Sequence, residues 1–403
     1  VMSDKPDVNE GPLRGVRVLD FSRIIAGPLC TQHLADMGAD VVKVEHPVTG
    51  DDGRRFSRDD DDRGYFFVAF NRSKRSVAMD VRKDGARAPL EALIRWADVL
   101  IENFRPGVMT RLGLDPETVM PLNERLIYAS VSAFGQTGSQ SHRPGLDPVL
   151  QAETGMMAVT GEPDGAPMRT AQSLIDTLTA AHATSAITAA LFARERTGCG
   201  QYVELSLLDT AVTALGNVGT YVLDHGEDPP RSGNAHITAT PTGLFETATD
   251  PIYVAMATDR LFEQLCRDVL ERPDLVEDPR FSSSGRRLEN RPALFEILNG
   301  IFSAESADSW MERLRHLPAG RVRSVTDALA SPEIAERQLV QTIRDGDKDL
   351  QTLGLPYRFS GTPHVAFRPP PHLGEHTVEV LADLGFGDDE IAEMLESGVL
   401  RKS

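Results

Sequence analysis

The chain has 403 residues, 40 % of them hydrophobic and 25 % charged, with a mean hydropathy of -0.25. A single core rarely grows past roughly 250–300 residues, so two globular domains are expected, and no stretch approaches the ~18 consecutive apolar residues of a membrane span. Against 60 Asp and Glu stand 42 Lys and Arg, a net charge of -18, which is the wrong sign for a general binder of nucleic acid or anionic membrane.

Any anionic ligand must therefore meet a local basic island. Cys30, Cys199 and Cys266 are far apart and lack CxxC spacing, which argues against a disulfide framework or a zinc site and fits a reducing cytoplasm. The opening segment SDKPDVNEGP is polar and has no apolar run of the kind a secretory leader needs.

In chain order, VRVLDF (Val16 to Phe21) reads as a buried strand. A helix follows with Pro28 in its first turn, running to Met37 and stopped by Gly38 before the strand VVKVE. The acidic run Asp59 to Asp62 reads as a solvated loop. RSVAMD (Arg75 to Asp80), a helical ARAPLEALIRWAD, VLIENF (Val99 to Phe104) and LIYASVSAF (Leu126 to Phe134) continue the alternation. Repeated strand and helix predict a doubly wound parallel sheet, with its ligand crevice at loops starting at Ser22, His46 and Asn103. The Gly-rich dinucleotide fingerprint is missing after the first strand, which argues against a nucleotide-dependent oxidoreductase even though Glu45 could mimic its ribose-binding acid. Ser173 to Gly198 predicts a long Ala- and Thr-rich helix. The Gly, Pro and charge of Asp224 to His236 mark a linker, and GLFETATDPIYVAMAT reads as two strands around a turn.

Five segments, VLDFSRIIAGPLCTQHLADMGADVVKVEHP, FNRSKRSVAMD, ADVLIENFRPGVMTRLG, TGCGQYVELSLLDTA and LGEHTVEVLADLG, resemble in order and spacing the class III CoA-transferase family, which includes formyl-CoA transferase and the 2-methylacyl-CoA racemases. The resemblance implies an α/β fold: a Rossmann-like, doubly wound large domain built from both chain ends (1–223 and 330–403) and a smaller central α+β domain (224–329), with two such chains interlocked as a homodimer. It implies an enzyme that moves CoA from an acyl thioester to a free carboxylic acid. Its partners would be an acyl-CoA, an acid and a second copy of itself, with no nucleic acid or membrane. No metal or tightly bound cofactor is implied, because coenzyme A enters and leaves as substrate.

Such a transfer needs an ionised protein carboxylate that attacks the thioester and forms a mixed anhydride. The position matching the family nucleophile is Asp176. The local pattern alone favours a capping box, Ser173 at the N-cap with Asp176 at the third helical position, and only the resemblance reverses that preference. By the same resemblance Ala26 lies near the CoA thiol, while Lys74, Asn103, Phe104 and Arg111 contact its nucleotide or pantetheine part. Arg72 and Lys74 belong to a basic cluster before the third strand. His46 stands where formyl-CoA transferase has an arginine, and Ser132 where it has a lysine.

The racemase branch uses a His in a Gly-His-Asp segment to move the α-proton, whereas this chain reads Gly145-Leu146-Asp147 and loses that base. A silent CoA-binding scaffold would have lost the Asp at 176, which is present. The glycine run that covers the nucleophile in the formyl-CoA branch is replaced by GNAHITATPTG. That stiffer lid disfavours oxalate and points to succinate, mesaconate, itaconate or citramalate, with His236 a candidate ligand for a second carboxylate or hydroxyl.

Overall fold

A computed structural model describes residues 11–56 and 62–403. The expectations for the opening segment and for Asp59 to Asp61 fall outside the described residues.

Six parallel strands, β1 (Arg17–Asp20), β2 (Asp40–Glu45), β3 (Arg75–Met79), β4 (Val99–Glu102), β5 (Ile127–Ser132) and β6 (Tyr202–Ser206), share one sheet with a short C-terminal strand, Leu400–Arg401. The order is C-terminal strand, β3, β2, β1, β4, β5, β6, the C-terminal strand being antiparallel to β3. Val18 pairs with Val41 on one side and Val99 on the other. The inner strands are buried along almost their whole length, as expected of a parallel sheet covered on both faces. At the edge, β6 alternates exposed and half-buried positions.

The helices that serve this sheet include α1 (Ala26–Asp36), α2 (Tyr65–Phe70), α3 (Arg87–Trp96), α4 (Val108–Leu112), α5 (Pro116–Val119), α6 (Asp147–Glu153), α7 (Leu174–Thr197) and α8 (Leu207–Ala214), with two more at the chain end, Thr377–Asp383 and Asp388–Glu396. The sequence places α1 correctly to within two residues. Gly38 ends it at φ 98°, a conformation that costs glycine little. On one face α1 packs against α7, whose buried Ala180, Ala183 and Ala190 present little bulk and allow close approach. On the other face Leu90, Leu93 and Ile94 of α3, with Val380, Leu381 and Ile391 from the chain end, close over Leu19, Val42, Val77 and Leu100.

The chain divides into two compact units. The first runs through Thr154 and includes Thr170–Ala214 and Arg337–Ser403; the second comprises Gly155–Arg169 and Leu215–Glu336. The boundaries read from the sequence, at 223/224 and 329/330, differ from these. Composition gives no sign that 155–169 leaves the first unit, because the tie is tertiary: the Arg231 guanidinium donates to the carbonyls of Ala158, Glu162 and Gly165. Within the second unit an antiparallel sheet of Thr242–Phe245, Ile252–Ala255 and Ala319–Arg321 carries a core of Phe245, Phe262, Phe302 and Trp310. Its first two strands are those expected around the Thr-Asp-Pro turn. Among the described residues no helix is long and apolar enough to cross a membrane.

Candidate active site

In the sheet order β1 is flanked by β2 and β4, so successive connections leave it in opposite directions and open a crevice at the strands' carboxyl ends. Two loops line it, 22–25 after β1 and 103–106 after β4. Asn103 binds them together, its Oδ1 accepting from Arg23 N at 2.7 Å and its Nδ2 donating to Arg23 O at 2.8 Å. The first loop passes through a left-handed residue, Ile24, at φ 69°. That is costly for a β-branched side chain and persists only where surrounding contacts enforce it.

The enforcing contacts come from a buried charge network beneath the loop. The Lys43 ammonium donates to Ser22 O at 2.6 Å and lies 3.0 Å from Asp51 Oδ2, while Asp51 Oδ1 accepts from Ile24 N at 3.0 Å. Asp20, at the end of β1, accepts from Ser22 and Thr31 and sits 3.0 Å from Lys74. Burial alone would raise its carboxyl pKa, but Lys43 and Lys74 hold it well below the usual range. Sequence reasoning missed this network. Its one local sign is a Lys and an Asp inside strands otherwise made of Val, Leu and Ile.

The cavity behind these loops has a volume of about 570 Å³. Ala26, Asn103, Phe104 and Asp176, four of the residues singled out in the sequence, line it together. Ala26 opens α1, whose N-cap residue Ile25 supplies no side-chain cap. The Phe104 ring lies under the Arg23 guanidinium at 4.9 Å. Arg23, Arg105 and Arg143 supply the cavity's positive charge, three residues the sequence reading did not select because an isolated Arg in a loop carries no pattern.

Three expected ligand contacts do not fit the geometry. Lys74 is buried with all three ammonium hydrogens engaged, on Asp20, Pro28 O and Asn71. Burial, partly offset by Asp20, pulls its pKa down to about 8. Arg72 is also buried, gripping Asp36 at 3.0 and 2.6 Å beneath the Phe367 ring. His46 uses Nδ1 to accept from Val48 N and Thr49 N, and Nε2 faces Arg82 at 2.9 Å. None of the three lines the cavity. A sequence pattern reports that basic residues cluster, but not that their side chains turn inward to neutralise buried acids. Arg111 is exposed on α4, also outside the cavity lining.

Asp176 sits in the first turn of α7, yet the capping box is not formed: Ser173 makes no side-chain cap. The cap is Asp147, at the start of α6, whose Oδ2 accepts from Ile175 N at 2.5 Å and Asp176 N at 3.1 Å. Gln151 steadies the other oxygen of Asp147 at 2.6 Å. This long-range cap leaves the Asp176 carboxylate without a hydrogen bond among the described residues, facing the cavity. Burial first, and the neighbouring Asp147 second, push its pKa up to about 7.

Leu146, which takes the place of a racemase base, lines the cavity and is exposed. His236 belongs to the second unit and is exposed; its Nδ1 accepts from Thr238 N and Ala239 N at 3.2 and 3.1 Å. Among the described residues no group of three His, Cys, Asp or Glu side chains is arranged to hold a metal ion.

A doubly wound sheet whose switch-point cavity is lined by the Asp176 carboxylate and three arginines is a fold class that binds small ligands at the strands' carboxyl ends. The family model described as CoA-transferase family III matches residues 13–377, and the chain belongs to that family. It is 36 % identical to a succinate–glutarate CoA-transferase of Agrobacterium fabrum, over 95 % of this chain and 98 % of that one. It is 37 % identical to an acetyl-CoA:oxalate CoA-transferase of Acetobacter aceti, over 88 % and 91 %. The crystal structure of a CAIB/BAIF family protein from Brucella suis superposes with a TM-score of 0.84 at 34 % identity, covering 93 % of this chain and all of that one.

Proposed function

We propose that the chain transfers CoA from an acyl-CoA to a short dicarboxylic or branched carboxylic acid, with Asp176 as nucleophile. The observation that carries this reading is the Asp176 carboxylate, released from capping by Asp147 and directed into the cavity. One carboxylate oxygen attacks the thioester carbonyl, giving an acyl-aspartyl anhydride and CoA thiolate. The thiolate attacks the aspartyl carbonyl, releasing the donor acid and leaving CoA as a thioester on Asp176. The acceptor carboxylate displaces the thiolate to form a second anhydride. Thiolate attack on the acceptor's acyl carbon then yields the new acyl-CoA and regenerates Asp176.

Each step exchanges one acyl bond for another, so no external proton, electron or metal is required. Arg23 and Arg105 at the cavity, with Arg111 on α4, are suited to the phosphates of CoA. The names of the relatives support dicarboxylic acids, and one of them acts on oxalate, the acid the lid reading disfavours. Family resemblance supports an interlocked homodimer, and the free cysteines Cys30, Cys199 and Cys266 fit a reducing cytoplasm; sedimentation of an active monomer at assay concentration would count against the dimer.

Incubation with succinyl-CoA followed by hydroxylamine should mark the peptide containing Asp176, and Asp176→Ala should abolish transfer while CoA still binds. An unmarked peptide together with an active Asp176→Ala enzyme would refute the mechanism. The racemase alternative predicts α-proton exchange of a 2-methylacyl-CoA in deuterated water. With Leu146 in place of the base, no exchange is expected.

A further inference from the structure

The three cavity arginines are not equivalent. Arg23 and Arg105 stand on the loops after β1 and β4, the face that receives a nucleotide in this topology. Arg143 lies on another wall, four residues before Asp147, whose carboxylate holds the backbone of Asp176. It shares the cavity lining with Asp176.

Its guanidinium stacks 4.7 Å from the Phe134 ring and is held by Glu153 at 2.8 and 3.3 Å and by Gln140 at 3.2 Å. Both ion-pair partners are 42 % exposed. An exposed pair of this kind contributes little to folding, so Glu153 gives way to another carboxylate at small cost. Phe134 is 8 % exposed and keeps the guanidinium plane oriented whichever carboxylate it meets.

The same wall carries an unsatisfied donor. Ser132, at the end of β5, is 5 % exposed and lines the cavity, and its hydroxyl has no partner among the described residues. Its oxygen exposes almost no surface, so the hydroxyl belongs to the packing of this wall rather than to the cavity itself. The wall between them is tight: a Cβ on Gly145 would come within 2.6 Å of Ala133 Cβ and 2.9 Å of the Phe134 ring. The Arg143 loop thus packs directly on the segment that follows Ser132. Around these two polar groups the lining is apolar, including Val131, Leu146, Val149 and Leu207.

From this arrangement we infer that Arg143 receives the distal carboxylate of a dicarboxylic substrate whose other carboxyl group reacts at Asp176, displacing Glu153 from the guanidinium. The inference rests on the proposed transfer reaction and adds the residue that selects the acid.

The test compares two acceptors of similar length, glutarate and pentanoate, with succinyl-CoA as the common donor, so that the ratio of their kcat/KM values isolates the distal carboxylate. Arg143→Met should lower the glutarate-to-pentanoate ratio about ten- to hundredfold, the range for a charge-assisted hydrogen bond pair, whereas Ser132→Ala, which removes a covered hydroxyl, should leave the ratio unchanged. Glu153→Gln, which removes the competing carboxylate and keeps the side-chain shape, should lower the KM for glutarate. A soluble Arg143→Met enzyme with the ratio unchanged, or a Glu153→Gln enzyme with a raised glutarate KM, would overturn the assignment while leaving the transfer reaction intact. If the unaltered enzyme moves CoA from succinyl-CoA to no acid at all, both the reaction and the assignment fall.

Discussion

Replacing Asp176 by Asn should make the protein more stable at alkaline pH. The ordinary carboxyl pKa of 3.8 is carried to about 7 in the folded chain, chiefly by burial and further by Asp147. A folded-state pKa above the unfolded one means that the native protein binds the proton more tightly, so stability contributed by this group falls as pH rises from about 4 to about 7. At 1.36 kcal/mol per pH unit the full displacement corresponds to about 4 kcal/mol, and residual contact of the carboxylate with water reduces this to about 2–4 kcal/mol. Asparagine is neutral at every pH and carries none of this penalty. Guanidinium unfolding of both proteins across pH 4 to 8.5 should show near-equal stability at the acid end. The Asn variant should gain about 2–4 kcal/mol at the alkaline end. A difference independent of pH, or an unaltered protein more stable than Asp176→Asn at pH 8, would show that the carboxylate is neither desolvated nor repelled by Asp147. The same displacement predicts that transfer activity rises with pH through about 7, as the nucleophile ionises.

Asp147→Asn should move that acid limb to lower pH, because the neighbouring negative charge is gone, and should also cost about 1–2 kcal/mol through the weakened cap on α7; a pH profile of kcat/KM and a denaturant titration read the two effects separately. Lys74→Met should destabilise the fold by about 2–4 kcal/mol by leaving buried Asp20 with only Lys43, 3.9 Å away, to offset its charge, with the donor KM little altered in whatever protein stays folded. A selective rise in acyl-CoA KM at normal stability would restore Lys74 as a phosphate ligand. Arg105→Ala and Arg111→Ala should each raise the KM for acyl-CoA more than for the matching pantetheine thioester, since the charge addresses phosphate, and equal effects on both substrates would contradict their placement.

Strands and helices were legible in the sequence because local chemistry dictates them. Val18, Val41, Val99 and Ile127 form apolar runs suited only to a buried parallel sheet, and Pro28 and Gly38 punctuate α1 through backbone geometry. Asp176 was legible as well, through resemblance and through its place in the first turn of a long helix. Its status was not. Whether it caps the helix or faces a ligand depends on Asp147, 29 positions earlier, reaching the same backbone N–H group. Residues so far apart in sequence meet only through the packing of α6 on α7.

Charge shows the same division more sharply. Composition gave the net -18 and the need for a basic island, but the direction of each basic side chain is settled by which buried acid it must neutralise. Lys74 and Arg72 turn inward to Asp20 and Asp36, whereas Arg23, Arg105 and Arg143, unremarkable in the sequence, line the cavity. An ammonium or guanidinium leaves water only for a carboxylate within a few ångströms, and that distance is a property of the folded sheet rather than of any segment of chain.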